Sequence, residues 1–294
     1  MKKILLLVLS TYLLLFKPVF ATQKNTIDIV QNKIDLMMQD TASWLDSFAS
    51  SKKINDKASA NGYLQLGWLP KTADLADVET KFKVRMKLPN WNDKIAFVID
   101  NDDEDDLKLD YEADTIEKDK DDLNLAVQYI KDLNENLKVK NRIGISRSQI
   151  YVRSELKRKW DVDTYQFQLT PRLDFFNSDG WAPSVIGTIF YPFESSSLSL
   201  SVSWQKIQSE KYARKKIGFY HIKSLTDEQL LVSGLQYSYK KDSNESYLAS
   251  VRYRNTFCKK WMYIEFEPFL EFNQINRYKT EVGIALRLIG YYGK

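Results

Sequence analysis

Residues 78–88 read VETKFKVRMKL. In an extended chain, Val78, Thr80, Phe82, Val84, Met86 and Leu88 fall on one side, and Glu79, Lys81, Lys83, Arg85 and Lys87 on the other. Side chains of a strand alternate between faces, so this stretch predicts a strand with one apolar and one charged face. The pattern recurs to the end of the chain. Ile150, Val152 and Leu156 oppose Tyr151, Arg153, Glu155 and Lys157, and Tyr247, Ala249, Val251 and Tyr253 oppose Ser250, Arg252 and Arg254. Met262, Ile264, Phe266, Leu270 and Phe272 oppose Glu265, Glu267 and Glu271, and Val282, Ile284, Leu286 and Leu288 oppose Glu281 and Arg287.

From GYLQLGW at 62–68 to TEVGIALRLIGYYG at 280–293, such segments number about fourteen, with twelve as the lower count. Turn residues separate them, as in Leu-Pro-Asn-Trp at 88–91, Asn-Ser-Asp-Gly at 177–180 and Lys-Lys-Asp-Ser-Asn at 240–244. No helix-length stretch intervenes between the later strands, which excludes parallel βαβ topology and leaves an antiparallel all-β region over 60–294. Ahead of it, in 22–56, Ile27, Val30, Ile34, Met37, Met38, Trp44, Leu45 and Phe48 recur at helical spacing among Asp28, Gln31, Asp35 and Asp46. This predicts a short amphipathic helical segment that packs on the strand domain, plugs it, or binds a partner.

Residues 1–21 have the plan of a secretory signal peptide: Lys2 and Lys3, an apolar run from Ile4 to Phe16, and Val19-Phe20-Ala21 at the cleavage point. Its removal takes Lys2, Lys3 and Lys17 and no acid, so the mature chain is nearly neutral. That argues against nucleic acid as a partner, which would require a basic face. No other stretch approaches the ~20 apolar residues of a membrane helix, so a membrane could be crossed only by strands. The single Cys258 excludes an internal disulfide, and the single His221 excludes a multi-histidine zinc site.

Long strands with one apolar and one charged face fit either a soluble exported β-sandwich, which would bury the apolar face, or a membrane barrel, which would turn it to lipid. Aromatics near the strand ends (Trp68, Trp91, Trp160, Tyr191, Trp204, Trp261, Tyr291 and Tyr292) suit rings placed at membrane–water interfaces. The strand region, with segments such as WMYIEFEPFLEF at 261–272 and the last strand, resembles Gram-negative outer-membrane β-barrels. The resemblance implies an antiparallel up-and-down transmembrane barrel of twelve to fourteen strands, exported by the signal peptide and embedded in outer-membrane lipid. It also implies periplasmic chaperones and the barrel-assembly machinery as partners. The chain ends on Gly293-Lys294, so recognition by that machinery would fall to the aromatic residues just inside the end.

On this register, Lys81, Lys83, Arg85, Arg153, Glu155, Arg172, Asp174, Arg252, Arg254, Glu265, Glu267, Glu271, Glu281 and Arg287 would point into the barrel. They read either as a cross-strand ion-pair network stiffening the interior or as a lining that selects solutes. The corresponding functions are a structural membrane protein and a narrow solute channel, both without enzymatic activity. Two other chemistries have candidate residues in the sequence. The stretch 100–122 holds thirteen acidic residues and three Lys, and reads as a solvated loop. Asp100, Asp102, Asp103 and Glu104 offer hard oxygens to a divalent cation, but a calcium loop would need Gly where Asp105 stands and Glu where Tyr111 stands. In FYHIKS, His221 and Ser224 are the nearest approach to the base and nucleophile of an outer-membrane lipid-acting enzyme. Three residues apart on a strand, they face opposite ways. No cofactor-binding motif is present in the sequence.

Overall fold

The computed structural model describes residues 31, 34–43, 58–72, 75–89, 94–101, 123–146, 149–241 and 244–293. The proposed signal peptide, Trp91 and all but the first two residues of the acidic stretch 100–122 lie outside them. Fourteen strands follow in chain order: β1 (Ser59–Trp68), β2 (Val78–Lys87), β3 (Ile95–Asp100), β4 (Asn124–Asn134), β5 (Leu137–Ser146), β6 (Gln149–Val162) and β7 (Tyr165–Phe176), then β8 (Gly180–Pro192), β9 (Ser196–Gln205), β10 (Arg214–Thr226), β11 (Gln229–Lys240), β12 (Asn244–Phe257), β13 (Lys259–Asn273) and β14 (Glu281–Tyr292). Each pairs antiparallel with its chain neighbour, and β1 pairs with β14, closing the sheet into a barrel. This is the up-and-down barrel that the alternation predicts, at the upper strand count. The two-sheet sandwich does not form.

The barrel is inverted relative to a water-soluble one. Ile143 and Ile150 are 59% and 57% exposed, whereas Asp100 and Asp174 have no exposed surface. Apolar residues line the outer wall and charged ones the inner wall, strand after strand. A closed antiparallel sheet pairs its backbone groups around the whole ring, and that is the condition for strands to cross hydrocarbon. At the seam, pairing runs from Gly62 opposite Tyr292 to Trp68 opposite Leu286. It continues past the strand end, where Ile284 N–H donates to the Pro70 carbonyl and Thr72 N–H to that of Val282.

The two rims differ. At the rim that carries both ends of the barrel, turns are short, such as those joining Val162 to Tyr165 and Thr226 to Gln229. The strand ends at the opposite rim are joined through longer stretches of chain, residues 69–77, 101–123, 206–213 and 274–280. Short turns on one side and long loops on the other are the asymmetry of outer-membrane barrels. The wall is lowest at β3, which pairs with β2 only from Lys83 to Lys87. Beyond it, the Asn101 side chain takes over the edge of β2, donating to the Thr80 carbonyl and accepting from Phe82 N–H, both at 2.7 Å. A side-chain amide thus satisfies backbone groups that a longer strand would have paired.

Aromatic residues gather on the outer wall near both rims. At the terminus-side rim, Trp160 stacks on Phe167 with ring centroids 5.9 Å apart, and Tyr165 lies 5.0 Å from Tyr191. Near the opposite rim, Phe175 lies 5.0 Å from Trp181. Trp68 and Trp204 also face outward there.

The helix covering residues 34–43 (α1) packs on the outer wall at the terminus-side rim, against β1 and β2. Ala42 is fully buried against Ala60, Met86 and Leu88, with Met38, Val84 and Phe97 around them. Gln39 both donates to and accepts from the backbone of Ala60, and Asp35 accepts from Gly293 N–H. The small Ala42 and Ala60 permit this close approach. Met86 and Leu88 are therefore on the apolar face, as their parity requires, but under a helix and not bare. The described part of the N-terminal segment clasps the outside of the barrel and does not enter it.

Candidate functional site in the barrel interior

Strand parity determines which charges meet. Inward positions on β2 are Glu79, Lys81, Lys83 and Arg85; on β12, Arg252 and Arg254; on β13, Glu265, Glu267 and Glu271; on β14, Glu281 and Arg287. Around the seam they form one network. The Arg252 guanidinium donates to Glu267 at 3.1 and 3.2 Å, and Arg254 Nε donates to Glu265 at 2.6 Å. Arg287 donates to Glu267, lies 3.7 Å from Glu265, and reaches across β1 to Glu79 at 3.4 Å. Glu79 also takes Lys81 Nζ at 2.6 Å. Glu271 accepts from Asn273 and Glu281 from Asn276, at 3.4 and 3.1 Å.

A second network lies on β2 to β7. Asp174 accepts from Arg153 Nε at 2.7 Å and from Arg172 Nε at 2.8 Å, and is completely buried. Asp100, at the end of β3, has Lys83 Nζ at 3.3 Å, Arg142 at 4.0 Å and the Asn124 amide at 3.1 Å. Arg142 donates to Gln128 at 2.9 Å. Lys140 has Glu155 as its carboxylate, at 3.9 Å. Asp100 is thus tied to interior cations. Asp102, Asp103 and Glu104 lie outside the described residues. Among the described residues, no three potential metal ligands converge.

Between the two networks runs a wall of short neutral side chains. Ser184 and Thr188 on β8 and Ser199, Ser201 and Gln205 on β9 are buried inward. On β10, the Tyr220 ring lies over Gly218 and Gly234, and its hydroxyl donates to Gln236 at 3.0 Å.

The structure places all fourteen of the charged residues singled out above on the inner wall. It also brings in Glu79, Asp100, Lys140 and Arg142. These four share parity with their strand neighbours: Glu79 with Lys81, Asp100 with Val98, and Lys140 with Arg142 in LKVKNRIGIS. For Glu79, Lys140 and Arg142 the signal was available in the same alternation; β3 is apolar on both faces and gave none for Asp100. Which carboxylate serves which cation was not available, because most of the pairs, such as Arg153–Asp174 and Arg252–Glu267, join residues far apart in the chain.

His221 faces outward on β10, opposite Ser233 and Leu198, while Ser224 shares the parity of the inward Tyr220. The two do not meet. A shallow groove lined by Val152, Ser154, Leu173, Phe175 and Trp181 opens on the outer wall and carries no titratable group.

Two features stand at the far rim. Glu210, in the 206–213 connection, lies 2.7 Å from Arg214 and 3.0 Å from Lys240. Burial pushes its carboxyl up, and the hydrogen bonds and charges of the two cations outweigh that, holding it below the usual carboxylate range. Glu245 accepts the hydroxyls of Tyr237, Tyr247 and Tyr278 at 3.0, 3.0 and 2.5 Å. The carboxylate beside Tyr278, in the 274–280 connection, pushes its phenol up to about 12.

Solved structures with this architecture are outer-membrane proteins. A loop-deletion mutant of OmpT, an outer membrane protein of Vibrio cholerae, matches with a TM-score of 0.55 and 11% identity, over 80% of this chain and 99% of that one. Outer-membrane-expressed OmpT of the same organism gives 0.52 and 9%, over 82% and 99%. DcaP, an outer membrane channel of Acinetobacter baumannii, gives 0.52 and 7%, over 80% and 97%. The chain matches no protein-family model and no curated protein. The fold is that of the outer-membrane β-barrels.

Proposed function

We propose that this protein resides in the outer membrane of a Gram-negative bacterium and passes small solutes through its lumen. The observation that carries the reading is the width and lining of the interior. An eight-stranded barrel is just wide enough for side chains to fill, and diameter grows with strand number. Fourteen strands enclose more, and on β8 and β9 the inward residues are mostly Ser, Thr and Ala, short side chains that take up little of that width. The interior charges can serve both roles weighed from the sequence. Pairs such as Arg153–Asp174 stiffen the wall, while Lys83, 36% exposed at its side chain, is within reach of water. The likeness to DcaP, described as a channel, supports the same reading. Export would use the signal peptide of residues 1–21, and insertion would use periplasmic chaperones and the barrel-assembly machinery. A lipid-acting enzyme finds no support in the separated His221 and Ser224.

The test has two stages. A membrane-fraction species whose gel mobility changes on boiling is the expected sign of a closed barrel, and discrete single-channel steps in a planar bilayer are the expected sign of conduction. A folded barrel that never conducts would overturn the channel and leave a structural membrane protein.

A further inference from the structure

Charge in the interior is divided unevenly. Away from the rims and apart from the Glu79–Lys81 pair, six inward cations of β2 to β7 (Lys83, Arg85, Lys140, Arg142, Arg153 and Arg172) face three carboxylates: Asp100, Glu155 and Asp174. Asp174 is shared by Arg153 and Arg172, and Asp100 by Lys83 and Arg142. Among the described residues, Lys140 has Glu155 as its only carboxylate, at 3.9 Å, beyond hydrogen-bond distance. Arg85 is left over. Its Nε is buried and has no hydrogen-bond acceptor, and among the described residues no carboxylate lies within ion-pair distance. The inward neighbours across β3 and β4 are Ala96, Val98, Ala126 and Gln128, so no acid stands between Arg85 and Arg142 on β5. A buried guanidinium donor without an acceptor is costly, and such groups ordinarily find a partner.

We propose that this wall binds a small solute bearing two oxygen-borne negative charges, a phosphate or a dicarboxylate, with Arg85 as the principal ligand, Lys83 two residues along on β2, and Lys140 on β5. The inference rests on the channel reading for its physiological use, but the binding site itself does not depend on conduction. Guanidinium nitrogens present forked donors that match a phosphate or carboxylate, and ammonium groups on β2 and β5 add charge without fixed geometry. Walls of low dielectric strengthen the attraction relative to open water.

The experiment uses the full chain folded in detergent. Calorimetric titrations with inorganic phosphate and with succinate, at constant ionic strength set with chloride, are compared for the native protein, Arg85→Gln, Lys83→Gln and Lys140→Gln. Binding of phosphate, of succinate or of both is expected, and Arg85→Gln is expected to weaken it about tenfold or more, as loss of a charge-assisted hydrogen bond would. Phosphate alone would assign phosphorylated solutes, succinate alone dicarboxylates, and both any dianion. Because Arg85 has no partner to lose among the described residues, Arg85→Gln should retain heat-modifiable mobility. If it does not, Lys83→Gln and Lys140→Gln carry the comparison. Binding of neither ligand, or binding unchanged in all three variants, overturns the site. Binding by a barrel that never conducts would instead retain the site and reject the channel.

Discussion

Asp174 on β7 accepts two guanidinium groups, from Arg153 on β6 and from Arg172 on its own strand, with none of its own surface exposed. Removing one member of a buried charge network leaves the others unpaired, which costs about 3–5 kcal/mol. Asp174→Asn is therefore expected to lower the temperature at which the folded gel species converts to the unfolded one. Replacing all three residues with apolar ones of similar size is expected to be nearly neutral. If Asp174→Asn matched the native protein, the cluster would not be held as described.

Arg252 and Arg287 meet on one carboxylate, Glu267. Groups that share a partner do not contribute independently. A double-mutant cycle with Arg252→Leu and Arg287→Leu is expected to give a coupling of about 1–3 kcal/mol in urea unfolding of the detergent-folded barrel. Additive losses would mean that the two arginines use separate partners.

Tyr278 donates to Glu245, and its phenol is pushed up to about 12 from the ordinary 10.0. A pKa raised in the folded state stabilises the neutral form. The contribution is complete below about pH 10 and is lost as pH rises through 12. In an alkaline titration followed by phenolate absorbance, the difference between the native protein and Tyr278→Phe is expected to ionise near pH 12. Glu245→Gln should bring it down towards 10. Ionisation near 10 in the native protein would show that the hydrogen bond does not form in solution.

Glu210 gives the opposite sign. Its carboxyl is held low by Arg214 and Lys240, so its contribution is present at neutral pH and is lost as pH falls through the folded value. Glu210→Gln is expected to narrow the stability difference between neutral and acid conditions, read as the pH dependence of the heat-conversion temperature. An unchanged pH profile would show that the carboxyl titrates normally.

Gly218 faces the flat of the Tyr220 ring, and a Cβ there would fall 2.4 Å from the ring. Gly218→Ala must displace the ring and the hydrogen bond from its hydroxyl to Gln236, at about 1–3 kcal/mol for overpacking. Gly187, which faces outward with its nearest neighbour atom at 4.0 Å, is the matched control and should tolerate alanine. Equal tolerance at both positions would show that the Tyr220 ring is not packed as described.

An antiparallel barrel of twelve to fourteen strands and the facing of strands such as β2, β6, β12, β13 and β14 were legible in the sequence, because the two-residue period is a local property of the chain. Val78 to Lys87 shows this: its alternation assigns Lys81 and Arg85 to one wall before any partner is known. The same period carries Lys140 and Arg142 inward. What the period cannot carry is which strands adjoin across the seam, since Arg287 and Glu79 meet through β1–β14 pairing and not through sequence proximity. Nor can it say that Arg85 lacks an acid, because that depends on Ala96, Val98 and Ala126 occupying the neighbouring inward positions. The helical period of residues 34–43 likewise predicted an apolar contact but not its place. Only closure of the barrel created the outer rim at Ala60 and Met86 that Ala42 covers. Local alternation determined the two faces, and long-range register determined which charges they bring together.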